Sequence, residues 1–465
     1  MRHVHRIAGI SLLTAITVLL TSSNPRAQAI TVNKEVPPML PLKQVAYIKA
    51  SNAEAYDHFA CGGGNQGHTG TSIALSGDAN TMAVGAPFES GGSRGVNGNQ
   101  NDNSMYAAGA VYVYIRQGQS WMQQAYVKAS NPGINDHFGS SVALSRDGNT
   151  MVVAAHWEAS GATGINGNQA DNSKASAGAV YVFTRSGTTW SQQAYVKPSD
   201  VDAGDLFGYS VALTADGNTL AVGAFDEDGS ARTINGPVDN KANGSGAAYV
   251  FTRTGADWSQ QAYIKPSNGE AQDSFGVAVA LSDDGSTLLV GSLDEDCSAT
   301  GVNPPGCDND QKEDVSAGAA YVFVRSGTTW SQQAFLKASN TGYNDWFGSR
   351  LALSGDGNVA AIGASLEDSN ATGINGNQKD DSANEAGAAY LFVRTGTTWQ
   401  QQAYIKGSNT EAYDEFGSSL ALDRGGRTLV ISARGEDGGG RGDGGKPSDN
   451  SVDEAGAVYV FHVAR

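Results

Sequence analysis

Carboxylates are the side chains of this sequence most able to do chemistry, and they return at fixed places. One Asp recurs as Asp57, Asp136, Asp205, Asp273, Asp345 and Asp414, and one Glu as Glu89, Glu158, Glu227, Glu295, Glu367 and Glu436. A second Asp recurs as Asp102, Asp171, Asp239, Asp380 and Asp449, with Asp308 or Asp310 in one shifted copy. A Lys returns as Lys49, Lys128, Lys197, Lys265, Lys337 and Lys406. Such a set can act as framework, its carboxylates accepting hydrogen bonds from loop backbone and pairing with the Lys. It can also bind calcium, because hard oxygen donors in Gly/Asn-rich turns suit that ion. The best candidates for a cation are Asp226, Glu227 and Asp228, and Asp294, Glu295 and Asp296. Recurrence in every copy favours the framework reading over a single reactive centre.

Catalysis would need a cluster that breaks this repetition. His58, His68, His137, His156 and His462 fall in different copies without metal-ligand spacing. No nucleophile elbow, phosphate loop or Cys-His pair is written. The expectation is therefore a protein that is not an enzyme. Trp157 and Trp346 stand outside the recurrent Trp121, Trp190, Trp258, Trp330 and Trp399, and they are the candidates for carbohydrate or protein contact. His68 joins them, because it lies in an insertion at 60–69 found only in the first copy.

These residues are positioned by one unit of about seventy residues. Its marker tyrosines are Tyr112, Tyr181, Tyr249, Tyr321, Tyr390 and Tyr459, spaced by 69, 68, 72, 69 and 69. Each copy reads as D-x-F-G, a hairpin around Asp-Gly-Asn, a long acidic loop, and a second hairpin of the G-A-V-Y-V-F…T-T-W-S-Q-Q-A-Y-V-K type. The segments are rich in β-branched and aromatic residues with turn residues between them, which predicts four antiparallel strands per copy. The first strand is small (Gly139-Ser140-Ser141-Val142-Ala143-Leu144), and the later ones carry Tyr, Phe and Trp. Sheets of that taper are wedges, and wedges set radially make a propeller. The expected fold is all-β, a six-bladed propeller in preference to seven blades. The sixth copy ends after its third strand, and Gln44-Val45-Ala46-Tyr47-Ile48-Lys49 reads as the missing fourth. Pairing it with the last blade would close the ring and remove an unpaired edge.

Phe138-Gly139 with Val153-Ala154-Ala155, and Phe59 with Val84-Gly85-Ala86-Pro87, resemble FG-GAP repeats. These units build the N-terminal propeller of integrin α chains and many exported bacterial proteins. The resemblance covers nearly all of 44–465 and implies a binding or adhesion role. Two departures stand out. Integrin propellers have seven blades, and the family's D-x-D-x-D-G calcium loop is here only Asp147-Gly148-Asn149 or Asp216-Gly217-Asn218.

The turns within each hairpin are short, about four residues, whereas the other connections are long and share one end of the ring. That end should carry binding, as loops held on a rigid scaffold usually do. Residues 1–29 read as a signal peptide, with a basic start, an apolar run from Ile7 to Leu20, and Ala27-Gln28-Ala29 as cleavage signal. Residues 30–43 read as an extended lead-in and 44–465 as a single domain, secreted or periplasmic. Removing Arg2, Arg6 and Arg26 with the leader leaves 27 Lys+Arg against 47 Asp+Glu, which disfavours nucleic acid and anionic membranes as partners. Cys297 and Cys307 share one loop and are expected to be bridged, contributing roughly 2–3 kcal/mol. Cys61 has no evident partner, and Arg441-Gly442-Asp443 spells a tripeptide that integrins recognise. The functional expectation is an exported monomeric module binding an extracellular protein or glycan on its long acidic loops. The alternative is a hydrolase or lyase acting on polysaccharide.

Overall fold

Each copy of the repeat folds into one antiparallel sheet whose strands lie in chain order. In the computed structural model, which describes residues 46–60, 71–307, 315–439 and 450–463, the six sheets span 73–127, 142–196, 210–264, 275–336, 350–405 and 416–462. The second blade is typical, with strands Val142–Leu144, Thr150–Ala155, Ala179–Ser186 and Thr189–Val196. The first strands of successive blades lie against one another, so they are innermost and the fourth strands outermost. This is the six-bladed propeller, and the small residues of the first strand are what the crowded centre demands. The third strand reads as continuous Ala-Val-Tyr-Val-Phe because both its faces are covered. Ala179, Tyr181 and Phe183 pack on Val111 and Val113 of the blade before. Val180 and Val182 pack on Leu220 and Val222 of the blade after.

The Phe-Gly and Gly-Ala dipeptides are the joints between blades. Phe138 is fully buried and meets Tyr181 and Phe183 edge-on, at 5.3 and 6.1 Å between ring centres. The neighbouring glycines let two backbones touch: a Cβ at Gly291 would lie 2.0 Å from the Gly348 carbonyl oxygen, and one at Gly85 1.9 Å from that of Gly139. The Phe peptides are tied across the joint, with the Phe138 N–H donating to Ala108 O and the Phe347 N–H to Ala317 O, both at 3.1 Å.

On the end of the ring with short turns, the first hairpin turn is a five-residue connection (145–149) and the second a two-residue one (187–188), against the four expected for each. Asp147 serves the first turn by accepting from Ser145 Oγ at 2.6 Å and from the Asn149 N–H at 3.0 Å. Backbone bonds then relay from turn to turn: Gly77 to Arg146, Arg146 to Ala215, Ala215 to Asp283, Asp283 to Gly355 and Gly355 to Arg424. The recurrent Trp belongs to this end. Trp190, Trp258, Trp330 and Trp399 are buried, and each donates its indole N–H to a Gln of the preceding blade, Gln124, Gln193, Gln261 and Gln333, at 2.9–3.0 Å.

Among the described residues the last sheet has three assigned strands, Phe416–Leu422, Thr428–Ala433 and Ala457–His462. The start of the domain meets the first blade: Tyr114 donates its hydroxyl to Lys49 O at 3.0 Å and Tyr112 to Asn52 Oδ1 at 2.5 Å, and Ile48 and Ala50 enter that blade's apolar cluster. Gln44 and Val45 lie outside the described residues. So do the segments 1–29 and 30–43, Cys61 and His68 of the insertion, Asp308, Asp310, Asp449 and Arg441-Gly442-Asp443.

The joint predicts that Gly291→Ala, though only one methyl larger, lowers unfolding free energy by about 1–3 kcal/mol, because a backbone oxygen rather than a side chain blocks the new atom. Urea titration checks this, and an unchanged midpoint would contradict it.

Candidate functional site

The recurrent Glu and Lys meet inside five of the six blades. Lys128, Lys197, Lys265, Lys337 and Lys406 are 0–1% exposed, and their ammonium groups lie 2.7–3.3 Å from Glu89, Glu158, Glu227, Glu295 and Glu367. The other oxygen of the Glu accepts from a buried Tyr hydroxyl in four blades, from Tyr126, Tyr195, Tyr263 and Tyr404 at 2.8–2.9 Å. An Asn arriving from the preceding blade reaches the same carboxylate, as Asn131 reaches Glu158 at 2.9 Å and Asn340 reaches Glu367 at 2.6 Å. The Lys also donates to the carbonyl that ends the long loop, Gly246 or Gly318, at 2.6 Å. Burial lowers each Lys while the Glu beside it pulls the other way. One ion pair thus ties sheet, long loop and preceding blade together.

The Asp of D-x-F-G is buried in all six blades and turns inward on its own loop. Asp136 accepts from the Gly133 N–H at 2.6 Å, and Asp345 from that of Gly342 at 2.7 Å. Burial pushes Asp136 and Asp205 up to about 7, and Asp273 and Asp345 up to about 8. The Asp that closes the loop caps a turn: Asp102 accepts from the Ser104 N–H at 3.0 Å and Asp171 from that of Ser173 at 2.9 Å.

The six residues proposed for a cation do not converge. Glu227 and Glu295 are occupied by Lys265 and Lys337. Asp228 accepts from the Gly244 N–H at 2.8 Å, and Asp296 from those of Val315 and Ser316 at 3.0 Å. Asp294 accepts from Ser274 Oγ at 2.6 Å, and burial raises Asp226. Among the described residues no three His, Cys, Asp or Glu side chains form a cation-holding group. Cys297 and Cys307 are bridged, with Cα atoms 5.3 Å apart, and the bridge sits beside Glu295 at the root of that loop.

What breaks the sixfold pattern lies around the axis on the end with long loops. The x of D-x-F-G and the two residues after V-G-A vary among the blades, and their rings converge there. His58 lies against Phe88 (4.6 Å between ring centres), Phe88 against His137 (4.5 Å), and His137 stacks on Trp157 at 4.6 Å and 26°. His137 also meets His156 at 5.7 Å, His156 meets Tyr209 at 5.6 Å, and Tyr209 meets Phe225 at 4.3 Å. Trp346 packs with Tyr209, Phe225, Val277 and Leu293. Trp157 and Trp346 are therefore both in this cluster, and three histidines that look dispersed in sequence are neighbours. The signal was present, because His58, His137 and Trp346 share one repeat position and Phe88 and Trp157 another. All six residues at x have φ of 51–57°, a left-handed conformation rare outside glycine and typical of residues held for a purpose.

Burial pulls His137 down to about 4 and His156 to about 3. His156 Nδ1 sits 2.9 Å from Ser140 Oγ, and His137 Nδ1 has no partner among the described residues. Trp157 is 43% exposed and presents its ring to solvent, with buried His137 as its backing. Tyr56, Tyr343 and Tyr413, each just before a D-x-F-G, and Tyr106 in the first long loop are 59–83% exposed.

The FG-GAP repeat family model matches residues 121–183, 190–251, 258–323, 330–392 and 399–461, more than half of the chain. No curated protein matches the sequence. Among solved structures, a candidate 6-phosphogluconolactonase of Bacteroides uniformis is similar with TM-score 0.44 and 11% identity over 84% of this chain and 87% of its own. The periplasmic gluconolactonase PpgL of Pseudomonas aeruginosa is similar with TM-score 0.41 and 14% identity over 78% of each. Saccharomyces cerevisiae Sqt1 is similar with TM-score 0.41 and 9% identity over 78% of this chain and 69% of its own. At these values the likenesses say nothing of activity.

A carboxyl raised in the folded state holds its proton longer there than in the unfolded chain. Its contribution is most favourable below the unfolded value near 3.8 and is lost as pH rises through about 8 for Asp345. Asp345→Asn keeps an oxygen for the Gly342 N–H and removes the charge. The variant should gain on the parent by on the order of 1 kcal/mol between pH 5 and 9. Melting curves across that range check it, and a difference independent of pH would contradict it.

Proposed function

The chain belongs to the FG-GAP repeat family, and from that premise we propose an exported, non-enzymatic binding module that takes a protein or glycan on its long-loop face. The observation that carries this reading is the Trp157 platform. A flat, half-exposed indole backed by a buried, uncharged imidazole loses little freedom when a ligand lies on it. Exposed Tyr56, Tyr106, Tyr343 and Tyr413 add amphipathic rings of the kind that dominate binding surfaces. The acidic framework beneath them is spent on structure, since each buried Glu with a Lys is neutralised and each buried Asp is bonded to its own loop. Export rests on the reading of residues 1–29.

Two features support binding over turnover. His137 and His156 are held neutral by burial, and no carboxylate orients them as a general base would require. The polysaccharide-acting alternative would need such a pair on this face.

A panel of glycans and extracellular matrix proteins tests the reading on the full mature chain. Trp157→Ala should weaken binding of the recognised ligand roughly tenfold or more, with the melting temperature nearly unchanged because the ring is half-exposed. Binding that survives this change and Tyr343→Ala together, or release of product from a polysaccharide, would contradict the proposal.

A further inference from the structure

Blade four departs from its neighbours at the anchor itself. Tyr126, Tyr195, Tyr263 and Tyr404 each donate a hydroxyl to the buried Glu of their own blade at 2.8–2.9 Å. The same register position in blade four holds Phe335, which lies opposite Tyr321 as Tyr263 lies opposite Tyr249. Glu295 receives Lys337 at 2.7 Å and Asn268 at 3.3 Å, but a phenylalanine cannot supply the hydroxyl. The gap spreads to the next hydrogen bond. Asn131 and Asn340 accept the hydroxyls of Tyr181 and Tyr390 at 2.7 Å, whereas Asn268 Oδ1 and the Tyr321 hydroxyl are buried without a partner among the described residues. Polar groups left in that state cost stability.

Blade four also carries the Cys297–Cys307 bridge, and the two departures meet. Cys297 stands two residues after Glu295, where Gly91 and Ser160 follow Glu89 and Glu158, and its N–H likewise donates to the carboxylate. Asn268, Glu295, Cys297 and Cys307 line one small cavity. The ring closed by the bridge holds the 301–303 turn on the outermost strand. There the Lys337 N–H donates to Gly301 O and the Phe335 N–H to Asn303 Oδ1, both at 2.8 Å. Blade five makes the same fold-back with no cysteine in it. Its Lys406 N–H donates to Gly373 O at 2.8 Å, and Tyr404 gives its N–H to Asn375 Oδ1 at 2.9 Å and its hydroxyl to Glu367.

We infer that the Cys297–Cys307 bridge takes the place of the missing Tyr hydroxyl as the fastener of the blade-four loop, which makes this sector of the long-loop face sensitive to thiol reductants. The inference does not depend on what the face binds. A dithiol supplies the two electrons. Its thiolate attacks the sulfur of Cys307, which is partly buried, whereas Cys297 is 4% exposed. Cys297 leaves as a thiolate, and the second thiol of the reagent then displaces Cys307. Two protons pass from reagent to protein, leaving two cysteine thiols and a cyclic disulfide of the reagent. Glu295 keeps Lys337, but the residues that follow it lose their constraint. An oxidising compartment keeps the loop fastened.

Hydrogen exchange on the full mature chain, with and without dithiothreitol, tests the assignment. On reduction, amides of 298–306 and 335–337 should exchange roughly tenfold faster, while 371–376 and 404–406 of blade five keep their rates. Phe335→Tyr should bring the reduced rates back to within about threefold of the bridged protein. Tyr404→Phe should speed exchange at 371–376 several-fold, whether or not the reductant is present. Rates unchanged on reduction, or raised equally in every blade, would overturn the local fastener. A reduced Phe335→Tyr protein as loose as the reduced parent, or a Tyr404→Phe protein that exchanges like the parent, would overturn the equivalence of hydroxyl and bridge.

Discussion

The structure depends on a buried carboxylate placed where three parts of the chain meet. Glu158 receives Lys197 and Tyr195 from its own outermost strand and Asn131 from the blade before, and its backbone begins the long loop. A buried ion pair of this kind adds little net stability over an apolar substitute, yet breaking one half leaves an uncompensated charge. Its value is therefore in fixing position. The long loops, which would otherwise be the least constrained parts of the repeat, are tied at their roots to rigid sheet. The acidity that first suggests a metal or a reactive centre is consumed in that role.

Once the loops are anchored, residues between the anchors are free to differ. The three positions that vary, x of D-x-F-G and the two after V-G-A, sit between the buried Asp and the buried Glu. Their backbone is held in a left-handed conformation or at a strand end, and their side chains gather about the axis. There the molecule sets His58, Phe88, His137, His156, Trp157, Tyr209, Phe225 and Trp346 in one run of rings. A sixfold framework with an asymmetric mouth separates what must stay constant from what can be selected for a ligand.

Much of this was legible in the sequence because it is local. The strands, the two hairpins and the Cys297–Cys307 bridge follow from patterns within one repeat, and the six-blade count from the number of copies. The partnership of Glu with Lys was also foreseeable, since both recur in step. The aromatic and imidazole mouth was not foreseen, because its members run from His58 to Trp346 over five copies and meet only through the rotation from blade to blade. Along the chain the histidines look scattered, whereas His58 and His137 share one repeat position and His156 lies beside His137 in space.

The central claim is that the Glu–Lys pair anchors each long loop through a shared, buried interaction. A double-mutant cycle on Glu367 and Lys406 measures this most directly, with Glu367→Gln, Lys406→Met and the double variant followed by denaturant unfolding. The account predicts that either single change costs about 3–5 kcal/mol, and that the double variant costs clearly less than the two together. Additive losses would mean that the two side chains stabilise the blade independently, which would contradict the anchor.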